Sequence, residues 1–100
     1  MRPTLTAAVI ARDEEQMLGD CLRSLEFADE CLVVVDAATD DRTREIAAEL
    51  GARVEERVFD TFAAQRDAAL KLATGEWVFF VDADERVPLA LRLEVLSTIA

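Results

Sequence analysis

The sequence predicts an α/β domain, a parallel Rossmann-like sheet with helices on both faces. Three observations lead there. Four short apolar runs alternate with four helical patterns, β-α-β-α-β-α-β-α, and strands that alternate with helices pair in parallel. The run Trp77-Val78-Phe79-Phe80-Val81 is aromatic and β-branched with no polar face, as in a strand covered by helix on both sides. Three of the four strands end in carboxylates: Asp13 just past the first, Asp36 on the second, Asp82 and Asp84 on the fourth. A strand order of 3-2-1-4 sets the first and fourth strands side by side, and ligands of such sheets bind outside the carboxyl ends at that switch point.

Each element has its own signal. Thr4 to Ala11 reads as the first strand, with Asp13 as the N-cap of the helix that follows and acidic residues suiting its first turn. Met17, Leu18, Cys21, Leu22 and Leu25 recur at helical spacing and make one apolar stripe. Cys31 to Val35 is a second buried strand, and Ala37-Ala38-Thr39-Asp40-Asp41 a polar turn. Arg42 to Leu50 is a helix with Ile46, Ala47 and Leu50 inward and Gly51 as its C′ residue. Arg53 to Phe59 is short and heavily charged, hence an edge strand. Phe62 to Ala73 is an alanine-rich helix closed by Thr74-Gly75, and Pro88, near N1, opens a last helix to Ala100.

One hundred residues make one small domain or half of a larger one. The net charge of −10 argues against contact with nucleic-acid phosphates or anionic lipid, and the absence of His removes the commonest general base and zinc ligand. Cys21 and Cys31 lack metal or redox spacing and are expected to be buried, reduced thiols of a cytosolic protein. Met1-Arg2-Pro3-Thr4 leads directly into a strand-like run, so no signal peptide is expected, and no apolar run approaches the ~20 residues that span a bilayer.

In a chain with ten aspartates the Asp82-Ala83-Asp84 pair alone says little; its place at the end of a buried strand is what points to a hard divalent cation. With three glycines, none in the first strand–helix turn, the chain has neither a dinucleotide fingerprint nor a P-loop. If phosphates bind here, a metal must neutralise them.

Taken together, Val9-Ile10-Ala11-Arg12-Asp13-Glu14-Glu15, Cys21-Leu22-Arg23-Ser24-Leu25, Ala28-Asp29-Glu30, Val33-Val34-Val35-Asp36, Asp41-Arg42-Thr43, Phe62-Ala63-Ala64-Gln65-Arg66, Ala69-Leu70, Ala73-Thr74-Gly75-Glu76-Trp77-Val78 and Asp82-Ala83-Asp84-Glu85-Arg86 resemble, in order and spacing, a family 2 glycosyltransferase with the GT-A fold. The similarity is strongest to the bacterial branch that includes lipopolysaccharide-core glycosyltransferases. It implies that residues 1–100 are the N-terminal, nucleotide-sugar-binding part of a GT-A domain. By the resemblance, Asp36 would contact the uracil or ribose of a UDP-sugar, Ala11, Arg12 and Asp13 would line the base pocket, Asp82 would sit by the ribose, and Arg66 would reach the nucleotide from its helix. Asp84 would bind the Mn²⁺ or Mg²⁺ that bridges the diphosphate, and Glu85 and Arg86 would be rim residues. Two departures from the family stand out: Ala37-Ala38-Thr39 stands where Ser and Gly are usual, and Asp13 where Asn is usual.

The resemblance further implies transfer of the sugar to a saccharide or glycolipid acceptor in cell-envelope polysaccharide synthesis, in the cytoplasm or peripherally at the inner face of the membrane. No residue can be assigned as the catalytic base. Two other classes compete. A phospho-acceptor receiver domain also clusters Asp at strand ends, but the only Lys, Lys71, falls inside a helix. A non-catalytic nucleotide-binding fragment would bind UDP without turnover. The apolar fourth strand, at an edge with nothing to guard it, is expected to drive self-association.

Overall fold

The structure, a computed structural model, describes residues 3–100. Its elements are β1 (Leu5–Ala11), α1 (Leu18–Arg23), β2 (Glu30–Asp36), α2 (Thr43–Glu49), β3 (Arg53–Arg57), α3 (Phe62–Leu72), β4 (Trp77–Asp82) and α4 (Leu89–Ile99). The strands pair in parallel in the order β3-β2-β1-β4, as expected. The register sets Ala11 against Val35, Ile10 against Asp82 and Asp36 against Arg57. All four strands therefore release their chains at one rim.

Because side chains alternate along a strand, β1 and β2 feed two cores. On one face Ala7, Val9, Ala11, Val33 and Val35 pack with Leu18, Cys21, Leu22 and Leu25 of the α1 region and Ala47 of α2. On the other, Ala8, Leu32 and Val34 pack with Ala69, Leu72 and Ala73 of the α3 region. Helices thus cover both faces. The opposite end of the sheet is tied by polar bonds. Thr6 Oγ1 accepts from Gly75 N (2.9 Å) and donates to Glu30 Oε1 (3.0 Å), which also accepts from Thr74 N. A Cβ on Gly75 would stand 2.6 Å from Thr6 N, so any other residue there forces the backbone to shift.

Several expectations are corrected. Helix α1 starts at Leu18, with Met17 at the N-cap position, rather than after Asp13. Asp13 has φ +51°, a left-handed conformation that a helix N-cap does not adopt, and Glu14 to Met17 form turns. Met17 is consequently exposed rather than part of the apolar stripe. Strand β3 stops at Arg57, leaving Val58 and Phe59 exposed. Leu50 is exposed at the C-cap of α2, with Gly51 (φ +82°) following as the C′ residue. Pro88 occupies the N-cap position of α4 rather than N1. Cys31 is only half-buried.

The largest difference concerns β4. It is not sandwiched between helix layers: Trp77 is 46% exposed and only Val81 is buried. A groove lined by Leu5, Trp77 and Phe79 on one side and Leu91, Val95 and Ile99 of α4 on the other separates that helix from the sheet, and Leu89 and Leu93 are exposed. An apolar run reports what a strand can bury, and at this edge little covers it.

Candidate functional site

The rim above the carboxyl ends of β1, β2 and β4 holds two adjoining cavities. The larger, about 270 Å³, is lined by Ile10, Ala11, Arg12, Glu14, Asp36, Phe59, Phe62 and Gln65. The smaller, about 70 Å³, is lined by Ile10, Phe62, Arg66, Phe80, Val81 and Asp82. Ile10 and Phe62 line both. Of the residues expected from the sequence, Ala11, Arg12 and Asp36 meet in the first and Arg66 and Asp82 in the second.

Each side chain is placed by its element. Asp36 ends β2 and is buried. Its Oδ1 accepts from Ala38 N (2.9 Å) and its carbonyl accepts from Thr39 N (2.9 Å). The carboxylate thus closes the turn where the Ser and Gly of the family pattern are missing. Its Oδ2 lies 3.6 Å from Arg12 Nη1, an ion pair with one buried and one exposed partner. The Arg66 guanidinium stacks on the Phe80 ring, 4.5 Å from its centroid. Phe59 and Phe62 meet edge to face with centroids 5.2 Å apart, both partly exposed at the cavity mouth.

Asp13 and Asp84 line neither cavity. Asp13 Oδ1 accepts from Asp40 N (2.8 Å), so its left-handed turn ties the loop after β1 to the loop after β2. Thr43 reinforces that link, accepting from Glu14 N (2.9 Å) while its hydroxyl donates to Asp41. Asp84 is exposed in the turn after β4. The turn is closed by Glu85, whose side chain accepts from Asp82 N and whose amide donates to the Asp82 carbonyl, both at 2.9 Å. Arg86 reaches away to Asp20 (2.8 Å). Behind the turn, the buried Cys21 thiol donates to the Asp82 carbonyl (3.5 Å); burial pushes its pKa up to about 12, so it stays a donor.

Sequence reasoning missed Glu14, Gln65 and the two phenylalanines. Partial burial raises the Glu14 pKa, and the charges of Asp84, Asp41 and Asp13 raise it further. Glu14 thus feels Asp84 while lining the larger cavity. Gln65 was hidden in an alanine-rich helix, yet it stands one turn before Ala69, on the same buried stripe.

No group of three or more metal-ligating side chains occurs among the described residues. A Mg²⁺ or Mn²⁺ that works on a diphosphate needs only one or two carboxylates, the rest coming from phosphate oxygens and water. Crowding of Glu14 by Asp84 is the kind of like-charge cost that a cation relieves. Chemically, the larger cavity offers aromatic edges, an anion and an amide to a flat polar ring, and the exposed carboxylates beside it offer oxygen to a cation.

The family model described as Glycosyl transferase family 2 matches residues 6–97. A TPR repeat-containing protein of Synechococcus elongatus is 37% identical over 93% of the chain, which spans 23% of that protein. The lipopolysaccharide core biosynthesis glycosyltransferase LpsC of Rhizobium meliloti is 34% identical over 88% of the chain and 34% of its own length. Crystal structures of S. aureus TarS superpose with TM-scores of 0.75 for residues 1–349 alone and 0.73 for the complex with UDP. Both are 25% identical and cover 96% and 95% of the chain. The chain covers about a third of those TarS chains, 32% and 31%. It therefore corresponds to a minor part of the length of these relatives.

Proposed function

The chain belongs to glycosyl transferase family 2, and from that premise we propose that it forms the nucleotide-sugar-binding part of an enzyme that transfers a sugar from a UDP-linked donor to a saccharide or glycolipid acceptor. The observation that carries the reading is the meeting of Ala11, Arg12 and Asp36 with two aromatic rings in one cavity at the switch point of the sheet. The likeness to TarS, one structure of which holds UDP, supports the nucleotide. The likeness to LpsC supports an acceptor of the cell envelope, and with it a cytoplasmic enzyme working peripherally at the inner face of the membrane. No helix of the described residues is long and apolar enough to cross a membrane.

In this reading the base enters the larger cavity, where Asp36 accepts from it and Ala11 and Arg12 line its edge. Asp82 faces the ribose, and Arg66, held over Phe80, turns its guanidinium to the nucleotide. Asp13 shapes the pocket through its bond to Asp40 rather than by touching the base. Asp84, with Glu14 nearby, would hold Mn²⁺ or Mg²⁺. Such a cation would supply positive charge to the leaving diphosphate; the transfer itself is in-line attack of an acceptor hydroxyl on the anomeric carbon. No base for that hydroxyl is assigned among the described residues.

Calorimetry of UDP with Mn²⁺, repeated in EDTA, tests the reading. UDP should bind with the metal and lose most of its affinity in EDTA. Asp84→Asn should weaken metal-dependent binding by about 1.5–3 kcal/mol, the worth of a charge-assisted contact, and Glu85→Gln by much less. Equal affinity in EDTA would remove the metal from the site; no binding of UDP under either condition would overturn the reading.

A further inference from the structure

Gln65 is fully buried and lines the larger cavity. Its Oε1 accepts from Arg57 Nη1 at 2.8 Å. A guanidinium can only donate, so this bond fixes which end of the amide is oxygen. Nε2, the other end, has no hydrogen-bond partner. A buried N–H without an acceptor is costly, and native chains rarely keep one without a use. The only other such side-chain atom among the described residues, Thr39 Oγ1, lines neither rim cavity. Gln65, which carries the orphaned donor, thus stands in the wall where Asp36, an acceptor, and two aromatic rings already meet.

Resting on the donor reading above, we propose that Gln65 is a specificity-determining residue: its Nε2–H donates to a carbonyl oxygen of the uracil ring. The amide is closed off from water in the unliganded chain. Phe62, which lines the same cavity, is 71% exposed, and in this proposal it turns aside to admit the base. The incoming carbonyl then supplies the acceptor that the fold withholds. A ring with no acceptor at that point would leave the amide unpaired, and a missing partner for a buried polar group discriminates more sharply than a change in apolar fit. Arg57, the last residue of β3, acts through Gln65 by holding its orientation.

The test is a cycle between protein and ligand. Gln65→Met keeps the shape and removes the donor; Gln65→Glu keeps a partner for Arg57 and turns the free end into an acceptor. Binding of UDP, 2-thio-UDP and 4-thio-UDP is measured by calorimetry for each folded variant, with melting temperatures alongside. Wild type should bind one of the two thio analogues several-fold more weakly than UDP, since sulfur is the poorer acceptor. Each variant should bind UDP about tenfold more weakly, the factor expected for one lost hydrogen bond, and should no longer distinguish that analogue from UDP. A thio penalty that survives in the variants, its absence in wild type, or variants that bind UDP as wild type does would overturn the role of Gln65 and leave the donor reading standing. Failure of wild type to bind UDP at all would overturn that reading first.

Discussion

The guanidinium of Arg12 stands 3.6 Å from the carboxylate of Asp36, so the first residue past β1 neutralises the last residue of β2. The pair is lopsided. Asp36 is buried and Arg12 is mostly in water, so Arg12 can swing away at small cost while Asp36 cannot. The arrangement fixes the carboxylate in the cavity wall and leaves its counter-charge free to move.

Asp36→Asn should therefore separate binding from folding. Asn can still accept from Ala38 N, and the lost ion pair has an exposed partner, so the urea midpoint should move little. UDP affinity should fall by about 10- to 100-fold, one charge-assisted hydrogen bond. Unchanged affinity in calorimetry would show that the carboxylate serves only the turn.

Glu14 should make stability depend on pH in the direction opposite to a salt-bridged acid. Its pKa is raised by partial burial and by Asp84, Asp41 and Asp13, so the folded chain keeps a proton that the unfolded chain has already lost. That contribution is complete below the ordinary value of 4.5 and disappears as pH rises through the folded value. Glu14→Gln, which mimics the protonated form, should be more stable than wild type at pH 7, by a small margin because the group is partly exposed. The two should have equal urea midpoints near pH 4; a variant less stable at pH 7 would contradict the repulsion.

Gly75→Ala should cost stability without touching the site. The added Cβ meets the Thr6 amide, which is backbone and cannot turn away. The expected loss is about 1–3 kcal/mol by urea denaturation. Because the clash lies at the end of the strands away from the cavities, UDP affinity of the folded fraction should be unchanged. A midpoint equal to wild type would mean that β4 shifts freely against β1.

The chain should self-associate through the side that carries β4 and α4. Trp77, Leu89, Leu91 and Leu93 are all exposed there, and β4 has an unpaired edge. Light scattering over a concentration series should show the mean mass rising, and Trp77→Lys should reduce the rise. A constant monomer mass would refute it.

The fold was legible because each strand announced itself by a run and a stop, and the charged third run marked one edge of the order β3-β2-β1-β4. What escaped were conformations set by tertiary bonds. Asp13 looks like a helix cap, but its bond to Asp40 N goes with a left-handed turn and the helix begins five residues later. The aspartates were visible as strand ends, whereas Gln65 needed the arginine opposite it, Arg57 on β3, to become meaningful. A side chain whose role depends on a distant partner leaves only a faint trace in a local pattern.

The pairing of charges at the rim bears on how fast a nucleotide could arrive. The chain carries a net charge of −10, yet the walls of the two cavities set Arg12 and Arg66 against Glu14, Asp36 and Asp82. The rest of the excess negative charge lies outside the two cavity walls, part of it on Asp13, Asp41 and Asp84 of the same rim. An approaching nucleotide anion is therefore repelled at a distance and meets near-neutrality only on contact. Screening removes the first effect before the second, since the Debye length is already about 10 Å at 0.1 M. Moderate salt should thus quicken capture, the reverse of an electrostatically steered encounter.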